Sequence, residues 1–290
     1  MMEIEFDETI NPNGIIKQAL IDIDIDGYKT APRGLLVKEI ELAKLNLSPL
    51  FPIIDFKSRP MNWKYLLGEF VWYLKRDTNP EYISNFSTFW GGITNPDGSI
   101  NSNYGAILFG EQLDWVKTKL LEDQNTRQAI AFLNQPKYQY PGNKDFVCTM
   151  YLNFWIRDNK LNLKVQMRSN DIFYGTTYDV AFFAMVQQTM WIWLRDKYTE
   201  LELGTYYHCA DNLHFYERHF NLADQIMNET IKTPYLFLLK APLFEINNKQ
   251  YSLTDAGKKM ISEVDGMLES WTTITQEIAF QTLHNYFHIQ

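Results

Sequence analysis

The stretch between Cys148 and Leu194 constrains the fold most. Residues 148–156 and 161–167 read as strands, the second alternating Leu161, Leu163, Val165 and Met167, and Asp158-Asn159-Lys160 makes the turn between them. A polar run, Arg168-Ser169-Asn170-Asp171, follows the second strand. Gly175 and Asp179 then lead into residues 180–194, apolar on every side and long enough for a buried helix. Polar side chains held between a strand's exit and a buried helix's entrance are placed as a ligand site would be.

The flanking segments fit a sheet covered by helices. Residues 128–133 supply a third strand candidate, and Trp63 to Lys75 carries Leu66, Leu67, Phe70, Val71 and Leu74 at helical spacing before Asp77-Thr78-Asn79-Pro80 ends it. Glu69 sits inside that helix among apolar neighbours. Residues 96–105 form a loop, and the helix after it places Leu113, Val116, Leu120 and Leu121 on one face. The chain ahead of Trp63 reads as irregular, while residues 255–269 and 273–287 read as helices. No repeat or Gly/Ser/Pro linker interrupts the pattern, so we expect one α+β domain over residues 1–290, with a mixed sheet packed by helices.

Composition removes several function classes. With 46% hydrophobic and 21% charged residues the chain is no disordered segment, and its apolar runs are too short to span a bilayer. Residues 1–7 lack the basic and apolar regions of an export signal, so a cytoplasmic protein with no membrane partner is expected. Two cysteines cannot build a disulfide framework; Cys148 and Cys209 must each be packing or chemistry. The formal charge of −8 opposes a nucleic-acid partner, although converging arginines could still hold a small anion.

Cys148 opens a strand after the polar loop Pro141-Gly142-Asn143-Lys144-Asp145-Phe146, and a thiol there could face a cavity. A thiol nucleophile needs a nearby cation, which Arg168 supplies if the two strands are neighbours; otherwise Cys148 is inert packing. A Cys-His hydrolase with His208 or His214 as base is the competing chemistry. His208, Cys209, Asp211 and His214 lack the spacings of common zinc sites, so no metal is expected. Glu69 is either a structural hydrogen-bonding acid or a carboxylate that orders water in a cleft.

Several motifs together resemble the thymidylate synthase superfamily. They are Glu69 with Trp72-Tyr73-Leu74 and Asp77-Thr78-Asn79, Phe89-Trp90, Ile100-Asn101-Ser102-Asn103-Tyr104-Gly105, Asn125-Thr126-Arg127, Asp145-Phe146-Val147-Cys148-Thr149, Met167-Arg168-Ser169-Asn170-Asp171 and Leu213-His214-Phe215-Tyr216. Their order and spacing match from about residue 30 to about residue 220. The resemblance implies a C5 one-carbon transferase for a pyrimidine nucleoside monophosphate, with 5,10-methylenetetrahydrofolate as co-substrate.

The same resemblance assigns roles. Cys148 is the nucleophile that adds to C6 of the pyrimidine, Glu69 orders water and Tyr104 assists proton removal from C5. Arg168, Ser169 and Arg33 bind phosphate, Asn170 lies in the substrate site, and His214 and Tyr216 bind the sugar hydroxyl. Trp90, Asp171, Gly175 and Tyr178 line the folate site. Arg127 reaches the phosphate of a neighbouring subunit, which implies a homodimer with a sheet face at the interface and two shared sites.

Asp179 stands where thymidylate synthases have Asn. An amide suits uracil, whereas a carboxylate accepts from the cytosine N4 amino group and favours a proton on N3. The expected reaction is therefore 5-hydroxymethylation of dCMP with water. Its neighbours are dCMP methylation or turnover of a uracil nucleotide, and a non-catalytic nucleotide-binding protein is the alternative of another class. Asp179 could also be a plain helix N-cap. Two departures stand out: Arg127-Gln128 replaces the family's common arginine pair, and a divergent helical extension from about residue 245 does not match the family's closing tail.

Overall fold

The computed structural model describes residues 11–270 and 272–290; the reading of residues 1–7 falls outside them. Its main sheet runs β1 (Tyr28–Thr30), β2 (Val37–Leu47), β7 (Glu202–Tyr216), β5 (Lys160–Met167), β4 (Thr149–Arg157), β3 (Ile130–Phe132), with β6 (Asn170–Asp171) beside β7. All pairings are antiparallel except those of β5 and β6 with β7. The expected mixed sheet packed by helices is present.

Turn chemistry fixes the hairpin of β4 and β5. Asp158 and Asn159 both lie at positive φ, 52° and 55°, which a two-residue hairpin turn requires and which Asp and Asn tolerate better than most residues. The register then slips between Thr149 and Tyr151, a bulge immediately after Cys148. Bulges re-aim side chains beside active sites, and here the backbone N–H of Arg168 donates to the Cys148 carbonyl at 2.9 Å, tying the two strand ends together.

Behind the sheet lies α7 (Thr176–Leu194), buried along nearly its whole length. Its two buried glutamines have partners in other elements. Gln187 donates to the Leu161 carbonyl, while Gln188 donates to the carbonyls of Pro49 and Phe237 and accepts from the Leu239 N–H. Gln188 is satisfied at both ends and fixes the helix against its surroundings, whereas Gln187 Oε1 is buried without a partner. Against it packs α2 (Trp63–Lys75), capped by Asn62 accepting from Tyr65 N–H at 3.0 Å and ended by Arg76 in the left-handed region. Four shorter helices follow: α3 (Glu81–Ser84), α4 (Phe89–Gly92), α5 (Tyr104–Leu108) and α6 (Glu111–Glu122). Of the face expected on α6, Leu113, Val116 and Leu120 are buried and Leu121 is half-buried. Gly105 is required by close approach: a Cβ there would lie 1.9 Å from the Tyr73 carbonyl oxygen of α2.

Two regions differ from the sequence reading. Ahead of Trp63 the chain is not irregular: α1 (Pro12–Asp26) carries Ile16, Ala19, Leu20 and Ile23 on a buried face, and β2 is a long sheet strand. Polar residues interspersed along both, with a β2 backbone break at Leu42 (φ 54°), blur their periodicity. At the other end α8 (Phe220–Asn228), α9 (Asp255–Glu269) and α10 (Gln276–Tyr286) are accompanied by strands. The hairpin β9 (Phe244–Asn247) and β10 (Gln250–Leu253) packs Phe244 on Phe109 at 4.0 Å, and β11 (Phe287–Ile289) pairs with β8 (Phe237–Leu239), stacking Phe287 on Phe237 at 4.1 Å. The last residues are thus bolted into the core.

Candidate active site

A cleft of about 630 Å³ opens where the ends of β2, β5 and β7 meet. Arg33, Arg168, Ser169, His214 and Tyr216 line it with Thr30, Pro32, Glu39, Phe146 and Asn212. Five residues expected from the sequence to hold phosphate and sugar are therefore gathered in one cavity. Arg33 sits in a short turn with φ of 53°, and His214, across β2 from Glu39, has Nδ1 2.9 Å from Asn212 Oδ1. Burial holds the His214 imidazole below its usual pKa, opposed by the carboxylates of Asp171 and Glu39. Asn212 and Glu39 carried no signal of their own in the sequence; only the strand pairing brings them to the cleft.

Behind the lining residue Arg168 stands Cys148, half-buried. Arg168 Nη2 lies 3.5 Å from its sulfur and 2.5 Å from the Phe146 carbonyl, and Nε donates to the Val147 carbonyl at 3.2 Å. The guanidinium is thus clamped beside the thiol by backbone acceptors. Burial raises the thiol pKa above the usual value, with Arg168 the strongest opposing influence; Asp179 and Asp145 raise it further and Arg33 lowers it. Cationic charge at the mouth therefore works toward the reactive thiolate.

Deeper still lie two buried acids. Asp179 is not the N-cap of α7: Gly175 occupies that place and the Asp179 N–H donates to the Gly175 carbonyl one turn into the helix. Its Oδ2 accepts from Asn170 Nδ2 at 2.8 Å, and burial pushes its pKa up to about 7 against that hydrogen bond. Gly175 is needed for this pair, since a Cβ there would come within 2.6 Å of Asn170 Nδ2 and 3.3 Å of Asp179 Oδ2. Glu69 on α2 accepts from Tyr65 OH at 2.8 Å, and burial raises its pKa to about 8, so it is largely a protonated acid at neutral pH. Tyr65 in turn accepts from Trp90 Nε1 at 3.1 Å, linking the Trp90 indole to Glu69. Tyr104 stacks on Tyr73 and Phe183 and is buried among the charges of Asp179 and Cys148, which with desolvation raise its pKa well above the phenol range.

Two further buried polar atoms have no partner. Asp171 Oδ1 accepts from the Phe173 and Tyr174 N–H groups at 2.7 and 3.0 Å, but Oδ2 is buried with no partner. Nη1 of Arg59 is likewise buried and unpartnered, its guanidinium lying 5.9 Å from the Tyr178 ring centroid while Nη2 donates to the Phe173 carbonyl. Buried polar atoms are normally paired, so an orphaned acceptor and an orphaned donor are two groups that a ligand could satisfy. Arg59 was not singled out from the sequence, where it is one cation in an ordinary loop.

Arg127 is not brought to this cleft. It lines a separate depression of about 330 Å³ with Lys119, Glu122, Asp123, Asn125, Thr126 and Gln128. The histidines offered to a hydrolase are otherwise occupied: His208 lies between Tyr206 and Asn170, and His214 bonds to Asn212. On β7 consecutive residues face opposite sides of the sheet, and Asp211 accepts from Gln166 at 2.8 Å. Among the described residues no three His, Cys, Asp or Glu side chains gather as a metal-binding group.

Comparison with known proteins agrees with this architecture. A family model described as thymidylate synthase matches residues 15–260. Deoxycytidylate 5-hydroxymethyltransferase of Enterobacteria phage T2 is 31% identical over 179 residues, covering 58% of this chain and 73% of that protein. The protein of the same description from Enterobacteria phage T4 is 31% identical over 175 residues, 57% of this chain and 71% of its own length. Deoxyuridylate hydroxymethyltransferase of Bacillus phage SP01 is 28% identical over 223 residues, covering 71% of this chain and 57% of that protein. With the sheet, the cysteine-arginine pair and the family match all in place, the chain belongs to the thymidylate synthase family, as a folate-dependent one-carbon transferase acting at C5 of a pyrimidine nucleotide.

Proposed function

We propose that the chain hydroxymethylates dCMP at C5, using methylenetetrahydrofolate and water. The observation that carries this reading is the buried Asp179 carboxylate with Asn170 donating to one of its oxygens, which leaves the other free to accept from a cytosine N4 amino group. A group titrating near neutrality can also share a proton with N3 of the bound base, making C6 more electrophile-like for thiolate attack.

Cys148 then adds to C6, and negative charge develops toward C5, the carbon that forms the new bond. Arg168 holds the phosphate with Ser169 and Arg33 while offsetting the charge of the thiolate, and His214 and Tyr216 fix the sugar. Methylenetetrahydrofolate supplies a one-carbon unit at the oxidation level of formaldehyde. Asp171, Trp90, Gly175 and Tyr178 would hold it, the unpartnered Oδ2 of Asp171 accepting from a ring N–H. Tyr104 aids removal of the C5 proton as tetrahydrofolate departs. The water ordered by protonated Glu69 then adds to the resulting exocyclic methylene carbon, and elimination of Cys148 from C6 restores the ring double bond and frees the thiol. Two of the phage relatives carry this dCMP activity in their descriptions, and a third acts on deoxyuridylate, which keeps dUMP as the alternative substrate.

The second part of the proposal is assembly. The outer sheet face carries Trp155 stacked on Tyr207 at 5.6 Å with Lys44 over Tyr207 at 4.8 Å. A homodimer through that face would let Arg127 serve a neighbouring phosphate site, in the cytoplasm where nucleotides and folates are found. Among the described residues no helix is long and apolar enough to cross a membrane. The test is mass spectrometry of products after incubation with methylenetetrahydrofolate and, separately, dCMP, CMP and dUMP. A hydroxymethyl adduct on dCMP alone supports the reading, whereas a methyl product or turnover of dUMP alone overturns it.

A further inference from the structure

Behind Asp179 runs a buried hydrogen-bonded chain that no catalytic role above uses. Tyr206 OH lies 2.8 Å from Nδ1 of His208, and Nε2 of His208 lies 2.9 Å from Oδ1 of Asn170. The Thr176 hydroxyl donates to the same Oδ1, while Asn170 Nδ2 donates to Asp179 Oδ2 at 2.8 Å. Tyr206, His208, Asn170 and Thr176 are all buried.

With Asp179 ionised, donor logic fixes the protons from Asn170 outward. Asn170 must turn Nδ2 toward the carboxylate, so its Oδ1 can only accept. His208 Nε2 therefore carries the proton, and Nδ1 accepts from the Tyr206 hydroxyl. Burial lowers the His208 pKa to about 3, so the ring stays neutral, and the Asn170 oxygen at Nε2 selects this tautomer. With two donors aimed at Oδ1, the amide has no reason to flip; turned over, it would set a carbonyl oxygen against the carboxylate and an N–H₂ against the His208 N–H.

We infer that His208, with Tyr206 behind it, is a positioning residue for base selection: through Asn170 it locks the Asp179 carboxylate in the acceptor orientation that cytosine requires. The inference rests on the reading of Asp179 as the group that meets the base. The chain joins β7, β6 and α7, so the strand that carries the sugar-binding His214 also orients the base-reading acid. Phosphate and folate contacts lie outside it.

The test measures dissociation constants of dCMP and dUMP for the full chain, which needs no turnover, followed by kcat/KM for both. His208→Phe removes the donor while keeping a ring, and the dCMP-over-dUMP selectivity should fall by roughly tenfold, the worth of one buried hydrogen bond. His208→Gln can donate to Asn170 again and should restore selectivity to within about threefold of wild type. In an Asp179→Asn background the His208→Phe effect on selectivity should shrink below about twofold, because the group it positions is gone. A merely structural role would lower stability alike in both backgrounds and would not be rescued by Gln. Unchanged selectivity in folded His208→Phe, or an equal loss in the Asp179→Asn background, overturns the inference. If His208→Phe does not fold, Tyr206→Phe decides: it should lower selectivity about threefold, and no change overturns the inference. Should Asp179→Asn alone leave selectivity unaltered, the reading of Asp179 fails instead.

Discussion

The cleft and the buried acids beyond Cys148 offer a ligand opposite physics. At the mouth, Arg33, Arg168, Ser169 and Tyr216 face a solvent-accessible cavity, and charge is offered directly to an anion. At the floor, Glu69 of α2 and Asp179 of α7 are buried, and burial moves both pKa values to the neutral range. The mouth can tolerate change because water replaces lost contacts. The floor cannot, because a mismatched buried group has no alternative partner.

Cys148 sits at the boundary, and its substitution has the largest expected effect. Cys148→Ser should lower kcat by about 10³-fold or more while dCMP binding changes little, since the phosphate, sugar and base contacts remain. Steady-state kinetics with parallel calorimetric titration reads both, and normal turnover would remove the covalent mechanism. Cys209, on β7 with no such arginine, should accept Ala with activity retained.

Next in size is the proposed extension of the mouth across a dimer. Arg127→Ala should raise KM for the nucleotide by roughly tenfold, the loss of one charge-assisted contact, with a smaller change in kcat. Mixing Arg127→Ala with Cys148→Ser subunits should restore some activity, because one site of each heterodimer has both residues intact. No recovery despite proven subunit exchange would return the phosphate site to a single chain.

The smallest effect concerns the floor alone. Glu69 and Asp179 have native pKa values of about 8 and about 7 against ordinary values of 4.5 and 3.8. A raised carboxyl pKa stabilises the fold fully below the ordinary value and that contribution is lost as pH rises through the native one. The contribution of these two acids to the thermal stability of the ligand-free protein should therefore fall between about pH 4 and pH 8, opposed below about pH 6.5 by the buried neutral His208. Glu69→Gln, which cannot ionise, should show a shallower fall, and an identical slope would place the Glu69 carboxyl in water.

How legible this was in the sequence follows the same division. The β4 and β5 hairpin, α2 and α7 were readable because each has one clear local signal: Asp158-Asn159 at the turn, helical spacing ended by Asp77-Thr78-Asn79-Pro80 for α2, and an unbroken apolar run for α7. The N-terminal helix and β2 were not, since β2, between β1 and β7, runs polar and apolar residues together and its alternation breaks at Leu42. Cys148, Arg168, Ser169, His214 and Tyr216 stood in recognisable motifs and do converge. Arg59, Asn212 and the Tyr206-His208 chain did not stand out, because their significance comes from strand pairing and from partners distant in sequence. Asp179 was ambiguous between cap and site until the helix start was seen to lie at Gly175.

The account turns on what the buried carboxylate at the floor selects, and the direct measurement is kcat/KM for dCMP and dUMP in wild type and in Asp179→Asn. The wild type should prefer dCMP by at least roughly tenfold, and Asp179→Asn should move the ratio toward dUMP with kcat for dCMP depressed as well as KM raised. Wild-type preference for dUMP, or an unchanged ratio in Asp179→Asn, would contradict the cytidylate assignment while leaving the family membership in place.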